Sequence, residues 1–397
     1  MSSSHTAVSL SLVQEALAGP VAAVRMRARL QPAGGSGDKV FPPTYAEGAS
    51  GHHRTKYATE QRVVDGERKP TVLLDSVASQ ANRMEQLLLR LVRGGQIQLP
   101  LVSVDFTEHF ADLGRISALE APHRVYDAIL RDSELDGVAF RQSSIGQEIT
   151  QAGPSDARGM LRHCPTVLLF GGWDSTGPRG GMGSKFQRAL VSEVVGLDFE
   201  AGSKVGSRLD PLQISASVRL VVPKGNSDEW SVGEGAKAKF RPAEVNHSNI
   251  APSRDEEAGG VTLDHALHTG VLSLPAIRRL CFGDWDEERV GAAHAYLVAL
   301  GILSMALQRR AGYDFRSRCS LVGDGACAVE LVAGDGSTEP LEFNVDSALR
   351  LYGDAVSAAL SAGVDLQLEE TVLTPMDKLV QLVEASRAAF AVGDGDA

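Results

Sequence analysis

The residues best suited to chemistry lie in one glycine-rich stretch, PTVLLFGGWDSTGPRGGMGSKFQRALVSEVVG, from Pro165 to Gly196. Its first part, Val167 to Phe170, is an apolar run of strand length, and its last part repeats apolar residues at helical spacing. A strand, a glycine turn and a helix N-terminus would aim unpaired backbone N–H groups at one point, which is how proteins hold phosphate without a dedicated side chain. The nearby cations are Arg179, Lys185 and Arg188. The alternative interpretation is a loop that only connects two core elements.

The familiar nucleotide and nucleophile motifs are not matched in this stretch. A Walker motif places Lys directly after Gly and before Ser or Thr, whereas the order here is Gly183, Ser184, Lys185. The dinucleotide pattern GxGxxG is absent, and Ser175 does not lie in a GxSxG elbow. These mismatches argue against a mononucleotide, a dinucleotide or an activated serine as the chemistry of the loop.

Metal and acid–base chemistry have equally little support in the sequence. The four cysteines, which are Cys164, Cys281, Cys319 and Cys327, form no CxxC pair, and no histidine lies in a cluster with ligand spacing. We therefore predict no metal and no cofactor. His123 has the right chemistry for a general base acting on RNA, but no partner group can be placed beside it, so a phosphate or base contact, or a purely structural role, is favoured.

One of the elements that must position these residues is AVRMRARL, which alternates Val, Met, Ala and Leu with three arginines. A period of two predicts a strand with one face in the core and with Arg25, Arg27 and Arg29 on the other. Three like charges on one sheet face repel unless something anionic lies across them. The alternative is a solvated edge strand whose charges guard against aggregation.

Helical periodicity is clearest in LLDSVASQANRMEQLLLRLVRGG, which has an apolar stripe and, on its other side, Gln80, Asn82 and Arg83. The apolar segment from Arg289 to Arg310 predicts a buried helix. Amphipathic helices are predicted near Val345–Leu360 and Pro375–Phe390. Strands are predicted at LPLVSVDF and at DPLQISASVRLVVP, whose alternation is the clearest in the chain.

Charge is distributed unevenly along the 397 residues. The net charge is −11, and residues 320–397 alone hold 14 acidic and 3 basic residues, so the rest of the chain is neutral. A neutral body with local basic surfaces can bind a polyanion on one face. Three polar excursions interrupt the body near residues 31–70, 137–164 and 223–260. No apolar run has the length of a membrane span and the N-terminus is unlike a signal peptide, so we expect a cytoplasmic protein without a membrane partner.

An ordered series of blocks resembles a known family. LLDSVASQANRMEQ, LPLVSVDF, SALEAPHRVYDAILRDS, FGGWDSTGPRGGMGSKFQRALVSEVVG, SRLDPL, and GGVT followed by LSLPAIRRL are similar to the backbone subunit of type I-U (I-G) CRISPR effector complexes, also called Cascade, in the RAMP superfamily. The blocks span roughly Phe41 to Cys319. The resemblance implies an α+β fold with an RRM-like (ferredoxin-like) palm and inserted thumb and finger elements in a core of residues 1–319. The acidic region at 320–397 carries little of the resemblance, and its amphipathic segments predict that it is largely helical.

The resemblance also implies a function and partners. Several copies would stack head to tail along the spacer part of a CRISPR RNA, and a thumb would displace guide bases at intervals while the rest pair with target DNA. Other partners would be the large subunit, the repeat-processing or capping subunit, and a recruited helicase-nuclease that does the cutting. This subunit would then lack catalytic residues. The alternative function is a RAMP-type RNA-processing endoribonuclease that uses His123.

The residue patterns and the family resemblance together predict a set of RNA-binding residues. Guide phosphates would contact the backbone of the Gly180–Lys185 loop, including Gly181 and Gly183, and the side chains around it. The expected side-chain contacts are Gln80, Asn82, Arg83, His123, Arg124, Arg179, Lys185, Arg188 and Arg208. A weaker set is Arg25, Arg27, Arg29, Lys237 and Lys239. The thumb is left open among the three excursions, with 223–260 favoured because Lys237 and Lys239 lie in a strand-like KAKF segment.

Overall fold

The fold is mixed α+β, in agreement with the predicted class. The computed structural model describes residues 6–45, 55–177, 185–223, 228–233 and 238–391. Its helices are α1 (Leu10–Ala18), α2 (Val77–Arg93), α3 (Ala128–Arg131), α4 (Ser144–Gln151), α5 (Arg158–His163), α6 (Thr166–Phe170), α7 (Leu274–Arg278), α8 (Glu287–Ala311), α9 (Val345–Ser361) and α10 (Asp377–Ala391).

The strands are mostly short and antiparallel. They are β1 (Thr6–Ala7), β2 (Val21–Pro32), β3 (Thr59–Val64), β4 (Glu67–Asp75), β5 (Val102–Asp105), β6 (Arg115–Ser117), β7 (Ser133–Leu135), β8 (Val138–Ala139), β9 (Gly172–Trp173), β10 (Lys185–Phe186), β11 (Leu190–Leu197), β12 (Glu200–Ala201), β13 (Lys204–Arg208), β14 (Leu220–Val221), β15 (Ser231–Val232), β16 (Ile250–Asp255), β17 (Val261–Thr262), β18 (His265–Ser273), β19 (Tyr313–Arg316), β20 (Cys319–Gly323), β21 (Ala328–Ala333), β22 (Thr338–Glu342) and β23 (Thr371–Pro375).

A ten-stranded sheet organises the molecule. Its main path runs β1-β22-β21-β2-β18-β11-β4-β3, and the β19–β20 hairpin joins it through β2. The strand β2 is where the predicted alternation is confirmed, because Val24, Met26, Ala28 and Leu30 are buried. Its odd-numbered residues Arg25, Arg27 and Arg29 point to the opposite face, which we call the open face, and are half-buried or exposed. The sequence thus identified both the strand and its two faces.

The other face of the sheet is covered by helices around α8, which confirms the buried helix predicted there. The Asp286 side chain accepts a hydrogen bond from the Arg289 N–H and starts α8, and Gly312 ends it with a φ of 81°. A Cβ built at Gly301 would lie 2.8 Å from Leu272 Cδ2, so the helix reaches β18 more closely than any side chain there allows. Although α8 is long and apolar enough to cross a membrane, it serves here as a core helix.

A second sheet of five strands, ordered β6-β5-β23-β7-β8, lies in the same core. The predicted strand LPLVSVDF forms β5, and the predicted terminal helices form α9 and α10. The acidic region also supplies β21 and β22 to the main sheet and β23 to this one. Chain segments far apart in sequence therefore complete both sheets.

Two elements that flank the glycine-rich loop differ from the prediction. Residues 166–170 form helix α6 rather than a strand, and residues 190–197 form strand β11 rather than a helix. Both segments are almost fully buried, and periodicity does not distinguish a short buried helix from a buried strand. The loop therefore does not lead into a helix N-terminus, and the helix-based part of the predicted phosphate cradle is wrong.

The predicted strand DPLQISASVRLVVP is also wrong. Only Leu220–Val221 is extended and paired, while the preceding residues form turns. Leu212, placed by the alternation on a buried face, is 68% exposed. The alternation in this segment has no core beneath it, because the segment belongs to a projecting part of the chain.

Candidate nucleic-acid interface

The glycine-rich loop is carried by a two-stranded ribbon, β9–β10. Gly172 pairs with Phe186 and faces inward, where a Cβ on Gly172 would lie 2.8 Å from Val167 Cγ1. Trp173 pairs with Lys185 and faces outward, with the Lys185 Nζ 5.8 Å from the centre of the indole. The predicted loop residues Arg179, Gly180, Gly181 and Gly183 lie outside the described residues. The sequence had not singled out Trp173, although an aromatic residue between glycines and polar residues was the available signal.

The first residues of the loop are anchored to the body. Arg141 donates hydrogen bonds to Asp174 Oδ1 at 2.7 Å and to the Thr176 carbonyl at 2.6 Å. The Asp174 side chain is only 1% exposed, so this ion pair is shielded from water. A Cβ on Gly177 would collide with that carboxylate, which shows how closely the chain wraps it. Arg141 is thus a positioning residue that the sequence did not reveal.

Gly171 joins two of the predicted cations at the base of the ribbon. Its carbonyl accepts a 3.2 Å hydrogen bond from Arg124, and a Cβ built on it would lie 3.0 Å from Arg188 Cγ. Gly171 has a φ of 80°, which glycine adopts without strain. The structure therefore brings Arg124 and Arg188 together beside the ribbon that carries Lys185.

These cations differ in their availability. Arg124 donates to both oxygens of Glu85 at 2.6 and 2.9 Å, and the Glu85 side chain is 1% exposed. Burial raises the pKa of Glu85, and the hydrogen bonds from Arg124 oppose that shift. Lys185 and Arg188 are exposed and have no hydrogen-bonded carboxylate within the described parts of the chain. Arg124 is therefore committed to the protein, while Lys185 and Arg188 are exposed to solvent, and the charge of Arg188 also acts to lower the pKa of Glu85.

His123 immediately precedes Arg124 and is exposed. Its backbone N–H donates to Asp127 Oδ2 at 3.0 Å, which fixes the turn. Within the described residues, its imidazole has no hydrogen-bonding side chain that would orient it as a base. The side chain is open to solvent, and its contact with a ligand stays a prediction.

The three residues predicted on α2 have different environments. Asn82 is exposed. Gln80 is fully buried and donates to Asp75 Oδ2 at 2.6 Å. Arg83 donates to Asp75 at 3.0 Å and to the Phe315 carbonyl at 3.0 Å. Gln80 does not reach the surface, and Arg83 is engaged with a buried carboxylate.

Asp75 ends a chain of buried polar groups. The hydroxyl of Ser192 donates to Gln80 Oε1 at 3.1 Å, and it lies 2.7 Å from His268 Nε2. His268 Nδ1 lies 3.2 Å from the Tyr313 hydroxyl. If His268 is neutral, accepts at Nδ1 and donates through Nε2, each group in the chain donates to the next one, from the Tyr313 hydroxyl to Asp75. Burial lowers the pKa of His268 to about 4, which agrees with the neutral form.

The pair formed by Ser192 and His268 has the spacing of a nucleophile and its base, but not the chemistry. A general base must accept the serine proton, whereas here that proton is directed to Gln80. Both residues are at most 3% exposed. The pair is part of the structural network that holds β11, β18 and α2 together. Because the members of this network come from distant segments, the one sequence signal for it is an acidic residue at the end of the buried run LLD.

Two of the three arginines on the open face are neutralised by the protein itself. Arg25 contacts Glu330 at 2.7 Å, and Arg29 contacts Asp324 at 2.7 Å and Asp264 at 3.5 Å. Arg27 is exposed and has no ion-pair partner among the described residues. The charge repulsion expected along β2 is relieved mainly by acidic residues of the same chain.

Arg208 and Lys239 belong to a projecting part that we call the arm, the described residues between Lys204 and Asp255. Its base is the antiparallel ribbon β13–β16, in which Arg208 pairs with Ile250. Lys239 is exposed near a bridge between Leu220 and Phe240, and Lys237 lies outside the described residues. Several large apolar side chains of the arm face solvent. They are Val205, Leu209, Leu212, Val232 and Ile250.

The described residues contain no group of three or more His, Cys, Asp or Glu side chains that could hold a metal ion. Burial raises the pKa of the Cys164 and Cys319 thiols, so both favour the neutral thiol form. The candidate interface consists of cations, hydrogen-bonding groups and the exposed ring of Trp173.

Residues 24–201, a little under half of the chain, match the model of a protein family described as CRISPR-associated protein GSU0053. The match confirms the resemblance to CRISPR-associated proteins, and it covers β2, α2, the β9–β10 ribbon and Arg188. No curated protein matches the chain. Among solved structures, the chain is similar to the crystal structure of Thermofilum pendens Csc2, with 12% identity, 91% of this chain and 89% of that chain covered, and a TM-score of 0.26.

Proposed function

We propose that this protein is a non-catalytic backbone subunit of a type I-U/I-G Cascade complex that binds CRISPR RNA. The observation that carries the proposal is that the segment matching the CRISPR-associated family contains a ribbon with two exposed cations, Lys185 and Arg188, that have no hydrogen-bonded carboxylate among the described residues. A guide must vary in sequence, so its backbone subunit has to bind phosphate and sugar rather than particular bases. Free cations beside a glycine-rich loop meet that requirement.

The proposed interface is smaller than the set predicted from sequence. Lys185 and Arg188 would contact phosphates together with the loop that contains Arg179, Gly180, Gly181 and Gly183. The exposed Asn82 and His123 would add contacts to sugar or phosphate. Gln80, Arg83 and Arg124 act as supports, because each is hydrogen-bonded to a buried carboxylate.

In this proposal the main sheet serves as the RRM-like palm and the arm as the thumb. The arm begins at Lys204 and so includes much of the favoured excursion 223–260. Its exposed apolar side chains suit insertion between guide bases, and Arg208 and Lys239 would hold the adjoining phosphates. Further copies would bind head to tail along the spacer, and the acidic region from residue 320 would face other subunits rather than RNA. The complex would present the guide to target DNA in the cytoplasm and recruit the helicase-nuclease.

The test is to express the full chain with a CRISPR array, purify it, and sequence the nucleic acid that accompanies it. RNA of repeat and spacer origin is expected. The double variant Lys185→Ala/Arg188→Ala should lose most of that RNA. For single-stranded RNA, each phosphate contact contributes about 0.7 to the slope of log K against log salt, so the slope should fall by about 1.4.

The matched control is Arg279→Ala/Arg350→Ala. Both arginines are exposed, lie outside the matching segment, and have no ion-pair partner among the described residues. This variant removes the same formal charge and should keep its RNA and its salt slope. RNA occupancy that is equal in the two double variants would contradict the proposed interface, and absence of CRISPR-derived RNA from the unmodified protein would contradict the function.

A further inference from the structure

Trp173 is the one tryptophan of three that is half-exposed without another ring against it in the described structure. Its side chain is 53% exposed. By contrast, Trp285 stacks on Phe282 with ring centres 5.2 Å apart, and Trp230 lies edge-on to His247 at 5.5 Å. The ring contact of Trp173 is the ammonium of Lys185. A large apolar ring facing water beside a free cation calls for an explanation.

The backbone on both sides of Trp173 is held firmly. On one side Gly172 packs against Val167 and Tyr126 so closely that a Cβ would lie 2.8 and 3.0 Å from their atoms. On the other side Asp174 is buried in its ion pair with Arg141. Since tryptophan has only two side-chain torsions, a ring on such a base loses little conformational entropy when it binds a partner.

Trp173 and Lys185 lie directly opposite each other on the outer side of the ribbon. The ring offers a flat face and the ammonium offers a positive charge 5.8 Å from its centre. Stacking on aromatic side chains accepts every base, because every base has a π face, while a nearby cation holds the phosphate. This combination binds a nucleotide without reading its identity.

We propose that Trp173 stacks one nucleobase of single-stranded RNA while Lys185 holds an adjoining phosphate. This inference rests on the proposed function and adds the mode of contact at the ribbon. The surroundings favour RNA over a protein partner, because the exposed residues next to the ring, Ser175, Thr176 and Lys185, are polar or cationic. An apolar protein partner would need a wider hydrophobic patch.

The test uses the full chain freed of RNA at high salt, and two probes of equal length: a single-stranded oligonucleotide and an abasic ribose-phosphate oligomer. For the base-bearing RNA, Trp173→Ala should weaken binding about tenfold or more, with the salt slope unchanged. Its binding of the abasic oligomer should remain that of the unmodified protein. Lys185→Ala should weaken both probes and lower the salt slope by about 0.7.

A conservative variant supplies a second readout. Trp173→Phe should keep most of the affinity because phenylalanine also stacks, but it should remove the quenching of tryptophan fluorescence by bound RNA. Both the variant and its parent carry Trp230→Phe, because Trp230 belongs to the arm that would itself contact RNA, and Trp285, which stacks on Phe282, remains as the internal reference. Quenching that persists in Trp173→Phe would show that the base lies elsewhere and would overturn the inference.

Three other results would overturn it, each in a recognisable way. If Trp173→Ala binds both probes as tightly as the unmodified protein does, the ring is not a stacking site, while the proposed function stands as long as Lys185 and Arg188 still matter. If Trp173→Ala weakens both probes equally, the ring only supports the loop. If it leaves RNA binding intact but reduces self-association in light scattering, the ring contacts a neighbouring copy. Failure of the unmodified chain to bind RNA would remove the proposed function as well.

Discussion

Arg141 donates a 2.7 Å hydrogen bond to the buried carboxylate of Asp174, and this contact ties the residue after Trp173 to the 3₁₀ helix Phe140–Gln142. The Nη1 atom of the same guanidinium donates a hydrogen bond to the Thr176 carbonyl. A ribbon that carries the proposed binding loop needs such an anchor, because two paired residues on each strand are too few to fix it.

Arg141→Ala should lower the free energy of unfolding by about 3 kcal/mol, since removing one partner leaves a buried charge uncompensated. Urea unfolding at neutral pH measures the loss. Arg158→Ala is the control, because its partners Asp156 and Asp284 are 45% and 91% exposed and such pairs contribute less than about 1 kcal/mol. Equal losses in the two variants would show that the Asp174 pair is no stronger than a surface pair.

His268 should make stability depend on pH. The folded state holds its pKa near 4, whereas an unfolded chain has a pKa near 6.5. The unfolded state therefore binds more protons between these values, and the stability that is present above pH 6.5 is lost as the pH falls towards 4. The total is about 3 kcal/mol. The groups facing the ring are Asp75, Ser192 and Tyr313.

The measurement compares urea unfolding of the wild type and His268→Gln across this pH range. The wild type should lose more stability than the variant on acidification, and the difference between them isolates this one residue. Parallel curves would refute the assignment of a neutral, buried His268.

Gly301 and Gly291 lie on the same helix and should respond oppositely to alanine. At Gly301 the new methyl group would meet Leu272 in the core, and overpacking of this kind costs about 1–3 kcal/mol. At Gly291 a Cβ meets nothing within 4 Å, so alanine should stabilise α8 by up to about 1 kcal/mol. Thermal unfolding of the two variants checks the sign. A stable Gly301→Ala would mean that α8 packs less closely on β18 than described.

His123→Ala tests the alternative function. We expect no cleavage of precursor CRISPR RNA by the wild type, and hence no change in product lengths with the variant, while RNA binding weakens slightly. Gel analysis of labelled precursor RNA shows either result. Cleavage by the wild type that disappears in the variant would establish the endoribonuclease instead.

The elements predicted well from the sequence are those with one face in solvent and the other in the core. β2, α2 and α9 each have a periodic boundary between core and solvent, and α8 was recognised as apolar all round. α6 and β11 were interchanged because hydrophobicity carries no clear period in either segment: α6 is buried throughout, and in β11 only Val191 is exposed. The segment around Leu212 was wrongly predicted for the opposite reason: its apolar residues alternate as in a strand, but no core lies beneath them.

The candidate site was predicted by residue type more than by environment. Lys185 and Arg188 are recognisable as cations beside a glycine-rich loop. Whether a cation is free depends on distant acids, however: Arg124 is paired with Glu85, 39 positions away, and Arg25 with Glu330, 305 positions away. A single sequence does not specify such pairings, and the role of Trp173 likewise depends on what leaves its ring uncovered.

The position of β2 in the main sheet has a consequence for biosynthesis. This strand is made before its neighbours β18, β20 and β21, the first of which begins at His265. A strand with one apolar face and two unpaired edges must therefore persist near the ribosome while residues 33–264 are synthesised. The alternating arginines keep one face of the unpaired strand soluble and make two such strands repel each other. The charges that end in ion pairs therefore also protect the nascent chain from aggregation.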